Sequence, residues 1–362
     1  MIKIVGNRGI AEIIGIFIIV LAVGMLIAIE AIGTSNASII YDTFADPRFI
    51  LFSYVLDAVL VLTIMLLILR RHKHHSNTLL FEVLEGIVTS LMSFFVFLIL
   101  LAILMPAQMA GGFLYIISGA LAISIVLVKD KWHRLRDFNT VVSSIGAGLV
   151  LGFNLEFSYA IVLIAIFAVY DYVSVFKTKD MISMAKALAS NDISFIISVS
   201  DLEAVPRWGL SKQDIDSYMK YLKRVHELDD PRFKKILRKG KLPVMSQLSL
   251  GEGDLSLPLM AAISAYISVS QLLSLMVILG GIAGISATML ILKKYKHPIP
   301  AIPPLFAFIG IFAGIAFIIS ESASIYSIGA TLILIGILVM LIDMLTIVRK
   351  MHHAFMKKAV AA

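Results

Sequence analysis

The sequence predicts an all-α polytopic membrane protein of about ten transmembrane helices, and three observations carry that expectation. Hydrophobic residues make up 59% of the 362 and charged residues 15%, against about half and about a quarter in soluble domains. The apolar residues fall in runs of about 20, enough to cross a hydrocarbon core of about 30 Å. The basic residues collect at the ends of alternate runs, so the net charge of +7 reads as orientation in a bilayer and not as nucleic-acid binding. There is no cysteine, which excludes disulfides, thiol catalysis and thiolate metal sites.

The first run spans about Ile10 to Ile32. Lys3, Arg8 and the small residues at Ala31-Ile32-Gly33 imitate a signal peptide, but the run exceeds the roughly 7–15 residues of an ordinary apolar region of that kind, so it reads as a retained helix, with cleavage the lesser alternative. Asn36-Ala37-Ser38 fits a glycosylation pattern that arises often by chance. The second run, Ile50 to Leu69, stops at Arg70-Arg71-His72-Lys73-His74-His75, a positive stop in preference to a metal-binding tract. Runs three to six follow at about Leu84–Met105, Phe113–Val128, Thr140–Phe153 and Tyr159–Phe176. Gly146, Gly148 and Gly152 in the fifth permit close helix approach.

From Lys177 to Gln247 the chain is polar and mostly basic. Ser211-Lys212-Gln213-Asp214 reads as a helix start, with a helix to about Leu228. The basic residues fit both a solvated loop and a face against anionic headgroups. Runs seven to ten follow: Leu248–Ser268, Leu273–Leu292, the run to Ile319 that opens at Pro298-Ile299-Pro300-Ala301-Ile302-Pro303-Pro304, and Ile325–Ile347. Lys and Arg follow the even-numbered runs and are nearly missing after the odd-numbered ones, so both termini and the 177–247 loop are expected in the cytoplasm.

Two acids stand out. Asp171 lies twelve residues into the sixth run, roughly 18 Å from its outer end. Asp254 lies six residues past Leu248, roughly 9 Å into the seventh run from the opposite direction. Adjacent antiparallel runs therefore bring both to similar depth. An acid in hydrocarbon is costly, and is a functional-site hypothesis by default. No Lys or Arg lies in the sixth run or between Gly251 and Ile291. Without a cation, two close carboxylates share one proton. One then acts as general base on water, and the other polarises a carbonyl. The flanking Gly251 and Gly253 permit unusual backbone geometry and close approach of another chain.

Tyr170-Asp171, Gly251-x-Gly253-Asp254 and Pro300-Ala301-Ile302, in that order around a large loop, resemble the presenilin and signal peptide peptidase family of intramembrane aspartyl proteases. The resemblance covers roughly residues 10 to 320 and is closest to a microbial, archaeal-type member. It implies a nine-helix body plus one additional C-terminal helix, and an enzyme that cleaves transmembrane segments. Asp171 and Asp254 would be the catalytic pair. Tyr170, Gly251, Gly253, Pro300, Ala301 and Ile302 would shape the site, and about Pro243 to Leu250 would offer a strand edge to extended substrate. It also implies no metal or cofactor beyond the catalytic water, no obligatory accessory subunit, helical membrane-protein substrates in the bilayer, and a homo-oligomer left open. Glu252 departs from the apolar residue usual between the two glycines, where it would disturb the titration of Asp254 or bind a substrate group. Ile302 replaces a leucine, and the tenth run is a packing or dimerisation helix without a functional account.

Four parts are expected: a six-span half (1–176), the basic loop (177–247), a three-span half (248–320), and an added span with tail (321–362). Glu12, Asp57, Glu82, Glu85 and Asp343 are further acids in or near runs with no chemistry assigned. The Gly280–Gly284 and Gly310–Gly314 spacings read as packing faces. Zinc and serine intramembrane proteases are set aside, because no His-Glu-x-x-His and no intramembrane His base is present. A type IV prepilin peptidase would usually carry Lys soon after the Asp, where Leu255-Ser256 stand. A transporter also uses intramembrane carboxylates, but no inverted repeat is visible.

Overall fold

The computed structural model describes residues 7–34, 78–105, 112–129, 133–178, 196–206, 236–295, 299–320 and 323–360. In chain order these form α1 (Asn7–Gly33), α2 (Thr78–Leu104), α3 (Gly112–Lys129), α4 (His133–Asn154), α5 (Phe157–Val173) with a π-turn at Ser174–Thr178, β1 (Ile196–Pro206), β2 (Lys241–Gly251), α6 (Glu252–Ser268), α7 (Gln271–Tyr295), α8 (Ile302–Ile319) and α9 (Ala323–Val360). Among the described residues, 6 helices are long and apolar enough to cross a membrane. The protein is an all-α polytopic membrane protein carrying one small sheet. The second run, Asp57, Asn36, the tract from Arg70 to His75 and the helix expected from Ser211 to Leu228 lie outside the described residues.

Several boundaries differ from the sequence reading: α2 begins at Thr78 and not at about Leu84, α9 continues to Val360 beyond Ile347, and two further differences bear on the site. The fifth run is longer than Thr140–Phe153: α4 begins at His133. Hydropathy misses residues 133–139 because they carry His133, Arg134, Arg136, Asp137 and Asn139; Asn139 and the polar residues that follow it, Thr140, Ser143 and Ser144, are buried. Several of these hydroxyls return to their own helix, as Thr140 does to the carbonyl of Arg136 (3.1 Å) and Ser144 to that of Thr140 (2.7 Å). The seventh run does not begin as a helix at Leu248. The chain stays extended to Gly251 and turns helical at Glu252.

That extended stretch is β2, which pairs antiparallel with β1 in a register from Ile196 opposite Gly251 to Pro206 opposite Lys241. Ile197 faces Leu250 and Val199 faces Leu248, and all four are buried. This is the period-two pattern of a sheet with one face in a core. The 177–247 segment is thus not wholly solvated: β1 lies against α1 and α4.

The axis of the molecule is α6. Every residue from Leu255 to Ala265 is buried, as expected of a helix that is apolar on all sides. Helices α1, α4, α5 and α7 pack around it. Glycines bring α4 close: a Cβ at Gly148 would lie 2.7 Å from the Leu259 side chain, and one at Gly152 would lie 2.7 Å from that of Ile263. Ser264 Oγ donates to the Leu155 carbonyl at the α4–α5 corner, and Phe157 N–H donates to Ser268 Oγ (3.2 Å). Gly280 and Gly284 admit the α8 backbone, with Cβ distances of 2.8 Å to Phe308 O and to Leu305 Cα. Gly314 admits α9, 2.5 Å from Gly329 O. Both glycine pairs are packing faces, as the spacing indicated.

Gly314→Val should therefore lower the midpoint of thermal unfolding in detergent, at a cost of about 1–3 kcal/mol for overpacking. Gly15→Ala, where a Cβ meets nothing within 4 Å, should not lower it.

Candidate active site

Asp171 sits two residues before the end of α5 and is 4% exposed. The helix does not simply stop there. Ser174 N–H reaches the carbonyls of both Asp171 and Tyr170, and the chain continues as the π-turn Ser174–Thr178. Such turns recur at functional positions. The carboxylate does not face hydrocarbon alone. Its Oδ2 accepts the backbone N–H of Ile302 (3.1 Å), and the Ala301 backbone also donates to it.

These donors exist because of the local sequence. Ala301 is the N-cap of α8, with prolines at 303 and 304 in its first turn. A helix start leaves several N–H groups without partners, and proline has none to offer. The donors that remain at Ala301 and Ile302 converge on Asp171, at the positive end of the helix dipole. The proline-rich stretch thus acts through its backbone, and the Ile302 side chain is buried at 8% exposure. Pro300 is buried as well, and Ala301 is half-buried.

Asp254 is engaged in a related way. It occupies the third position of α6, and its Oδ2 accepts the N–H of the N-cap Gly251 (3.1 Å). Asp254 therefore caps its own helix and ties it to the end of β2. Pro258, four residues on, has no N–H for the Asp254 carbonyl, so this first turn is held mainly by the cap. Helices α5 and α6 are in contact, and the charges of Asp171 and Asp254 act on each other.

The glycines depart from expectation. Gly251 has φ −75° and ψ 152°, ordinary extended backbone. Gly240 is the one glycine with positive φ among the described residues. Unusual backbone geometry is therefore not what Gly251 and Gly253 supply. A Cβ at Gly251 would crowd Asp254 Oδ2 at 3.3 Å, and one at Gly253 would meet nothing within 4 Å. Gly253 is exposed and Asp254 half-buried, so α6 begins at an open face. Tyr170 is half-buried beside Asp171.

Glu252 is held by α4: Ser143 Oγ donates to its Oε1 at 2.6 Å. Glu85 of α2, 2% exposed, is its electrostatic neighbour. Glu12, by contrast, is exposed and pairs with Arg8 (2.9 Å). Asp343 of α9 is 4% exposed and lies within the field of Asp171. Sequence reasoning gave Ser143 no role and left Asp343 unassigned. The signal for Asp343 was its position six residues before Arg349, which matches Asp171 before Lys177.

A bundle of membrane-crossing helices that sets a buried Asp171 and a half-buried Asp254 on touching helices is a polytopic membrane protein with an acidic intramembrane site. The family model described as signal-peptide peptidase, presenilin aspartyl protease matches residues 14–322, and the chain belongs to that family of intramembrane aspartic proteases. A solved structure titled as a presenilin family intramembrane aspartate protease is similar at 18% identity, covering 87% of this chain and 97% of that one, with a TM-score of 0.46. No curated protein matches.

Ser143→Ala should leave Glu252 without its partner and lower stability by about 1–3 kcal/mol, because an orphaned polar group costs more than a deleted pair. Adding Glu252→Leu should recover part of that loss, read as non-additivity in a double-mutant cycle of unfolding midpoints.

Proposed function

We propose that Asp171 and Asp254 form the catalytic pair of an endopeptidase that cuts transmembrane segments of other membrane proteins. The observation that carries this is the arrangement of the two acids on touching helices, each with one oxygen held by backbone N–H at a helix start. One carboxylate, as general base, takes a proton from water as the water oxygen adds to the scissile carbonyl carbon. The other, protonated, donates to the carbonyl oxygen. The tetrahedral species collapses when the amide nitrogen receives a proton, the C–N bond breaks, and a carboxyl and an amine result. Which acid starts charged is a property of the coupled pair. The step needs no metal and no covalent intermediate.

Tyr170, Gly251, Gly253, Pro300, Ala301 and Ile302 shape this site, the last two through their N–H groups. Gly253 leaves room beside Asp254 for the substrate chain. One edge of β2 is taken by β1, and its other edge is the surface to which an unwound substrate adds as a strand. The chain divides into the halves 1–176 and 248–320, the loop 177–247, and the added span and tail 321–362. The basic flanks support cytoplasmic termini, and with that orientation preferred substrates have their N-termini outside. The enzyme acts in the bilayer without an obligatory accessory subunit.

Purified protein in proteoliposomes should cut a single-span substrate, and Asp171→Asn or Asp254→Asn should each lower the rate by about a thousandfold or more, the scale seen when one member of a catalytic unit is lost. A wild type that cuts nothing yet carries ions across the liposome would replace this reading with a transporter. In cells, substrates of one orientation should be cut in preference, and equal cutting of both would remove the orientation assignment.

A further inference from the structure

The added helix α9 presents one narrow buried stripe. Gly329, Gly336 and Asp343 recur every seven residues along it, and Ile347 continues it. This spacing keeps residues on one face of a helix packed along its neighbour. The register against the antiparallel α8 follows from two contacts. A Cβ at Gly329 would meet Gly314 O at 2.7 Å, and one at Gly336 would meet Ala307 O at 2.6 Å. Seven residues forward on α9 correspond to seven back on α8. The next step places Asp343 level with Pro300, at the helix start whose N–H groups hold Asp171. One turn further, Thr346 Oγ1 and Tyr172 Oη are hydrogen-bonded at 2.6 Å, which fixes α9 to the residue next to Asp171.

At that position Asp343 is 4% exposed, and its buried Oδ1 has no hydrogen-bond partner. A buried carboxyl without a partner is expensive. Packing of α9 does not explain it, since Gly or Ala would serve the stripe better. Depth agrees independently. Asp343 lies six residues before Arg349, and Asp171 six before Lys177, each about 9 Å from the end of its apolar run.

We propose that Asp343 is a positioning residue for the catalytic pair: the added helix delivers a third carboxyl beside Asp171 and thereby sets how the pair holds its proton. Titratable neighbours on the packed elements are few. The end of α5 carries Tyr170, Asp171 and Tyr172, the π-turn after it carries the exposed Lys177, α8 carries none, and on α9 itself Arg349 is exposed. Asp343 lies within the field of Asp171. The proposal rests on the assignment of Asp171 to the catalytic pair.

The test compares the full chain with Asp343→Asn, Asp343→Leu and Asp343→Glu on a single-span substrate, with kcat and KM measured across pH and thermal midpoints measured in parallel. Asn and Leu should lower kcat about 10- to 100-fold, the scale of a catalytic group left misplaced. KM should change by no more than about twofold, as when only the transition state is affected. The pH profile of kcat should be displaced by about half a unit or more, as for a changed charge near a titrating group. Glu should restore the wild-type profile more closely than Leu does. Unchanged kcat and profile would overturn the proposal, as would activity that falls only in step with the thermal midpoint while the profile stays put. If the wild type cuts, Asp171→Asn does not, and the Asp343 variants match the wild type, this inference fails alone. An active Asp171→Asn enzyme would remove the reading beneath it.

Discussion

A carboxylate within an apolar bundle has to be compensated, and here the compensation comes from helix ends. Asp171 takes the N–H groups at the start of α8, and Asp254 takes the N–H at the start of its own helix. Among the described residues, no lysine or arginine pairs with either acid. An ion pair would hold each carboxylate firmly in its charged form; backbone N–H donors favour that form less strongly and also fix the carboxylate's geometry. The remaining architecture serves these two contacts. Glycines on α4 set α6 at close range, glycines on α7 and α8 set the height of the α8 start, and the π-turn redirects α5 just beyond Asp171.

The sheet has a related part. Register between β1 and β2 ends at Gly251, the residue that Asp254 caps. Strand pairing and helix start are therefore one joint. A displacement of β2, by a shift in register or by a third strand, would be felt at the carboxylate within a single turn. Apolar residues of both strands reach the core beside α1 and α4, which anchors that joint to the bundle.

Much of this was legible in the sequence, because hydrocarbon imposes simple rules. Apolar length located most of the described helices within a few residues. Isolated acids pointed to Asp171 and Asp254. Hydropathy failed at the start of α4, which was read short because its first turns carry His133, Arg134, Arg136, Asp137 and Asn139. The start of α6 was read early because Leu248 and Leu250 are equally apolar in a strand. The donors to Asp171 were illegible as side chains, since they are backbone groups that proline placement exposes. Asp343 was visible only as another costly acid. Its neighbours depend on the register between α8 and α9, which no single-sequence pattern reports.

The central claim is that residues 171 and 254 face each other across a shared space, and the lack of native cysteine makes it directly measurable. A protease site inserted within 207–235, in a chain carrying Asp171→Cys and Asp254→Cys, allows the two halves to be separated after cutting. With a short bifunctional thiol reagent applied first, the halves should stay joined on a denaturing gel. With either single cysteine they should part. Halves that part in the double variant, with both thiols shown to be reactive, would contradict the account.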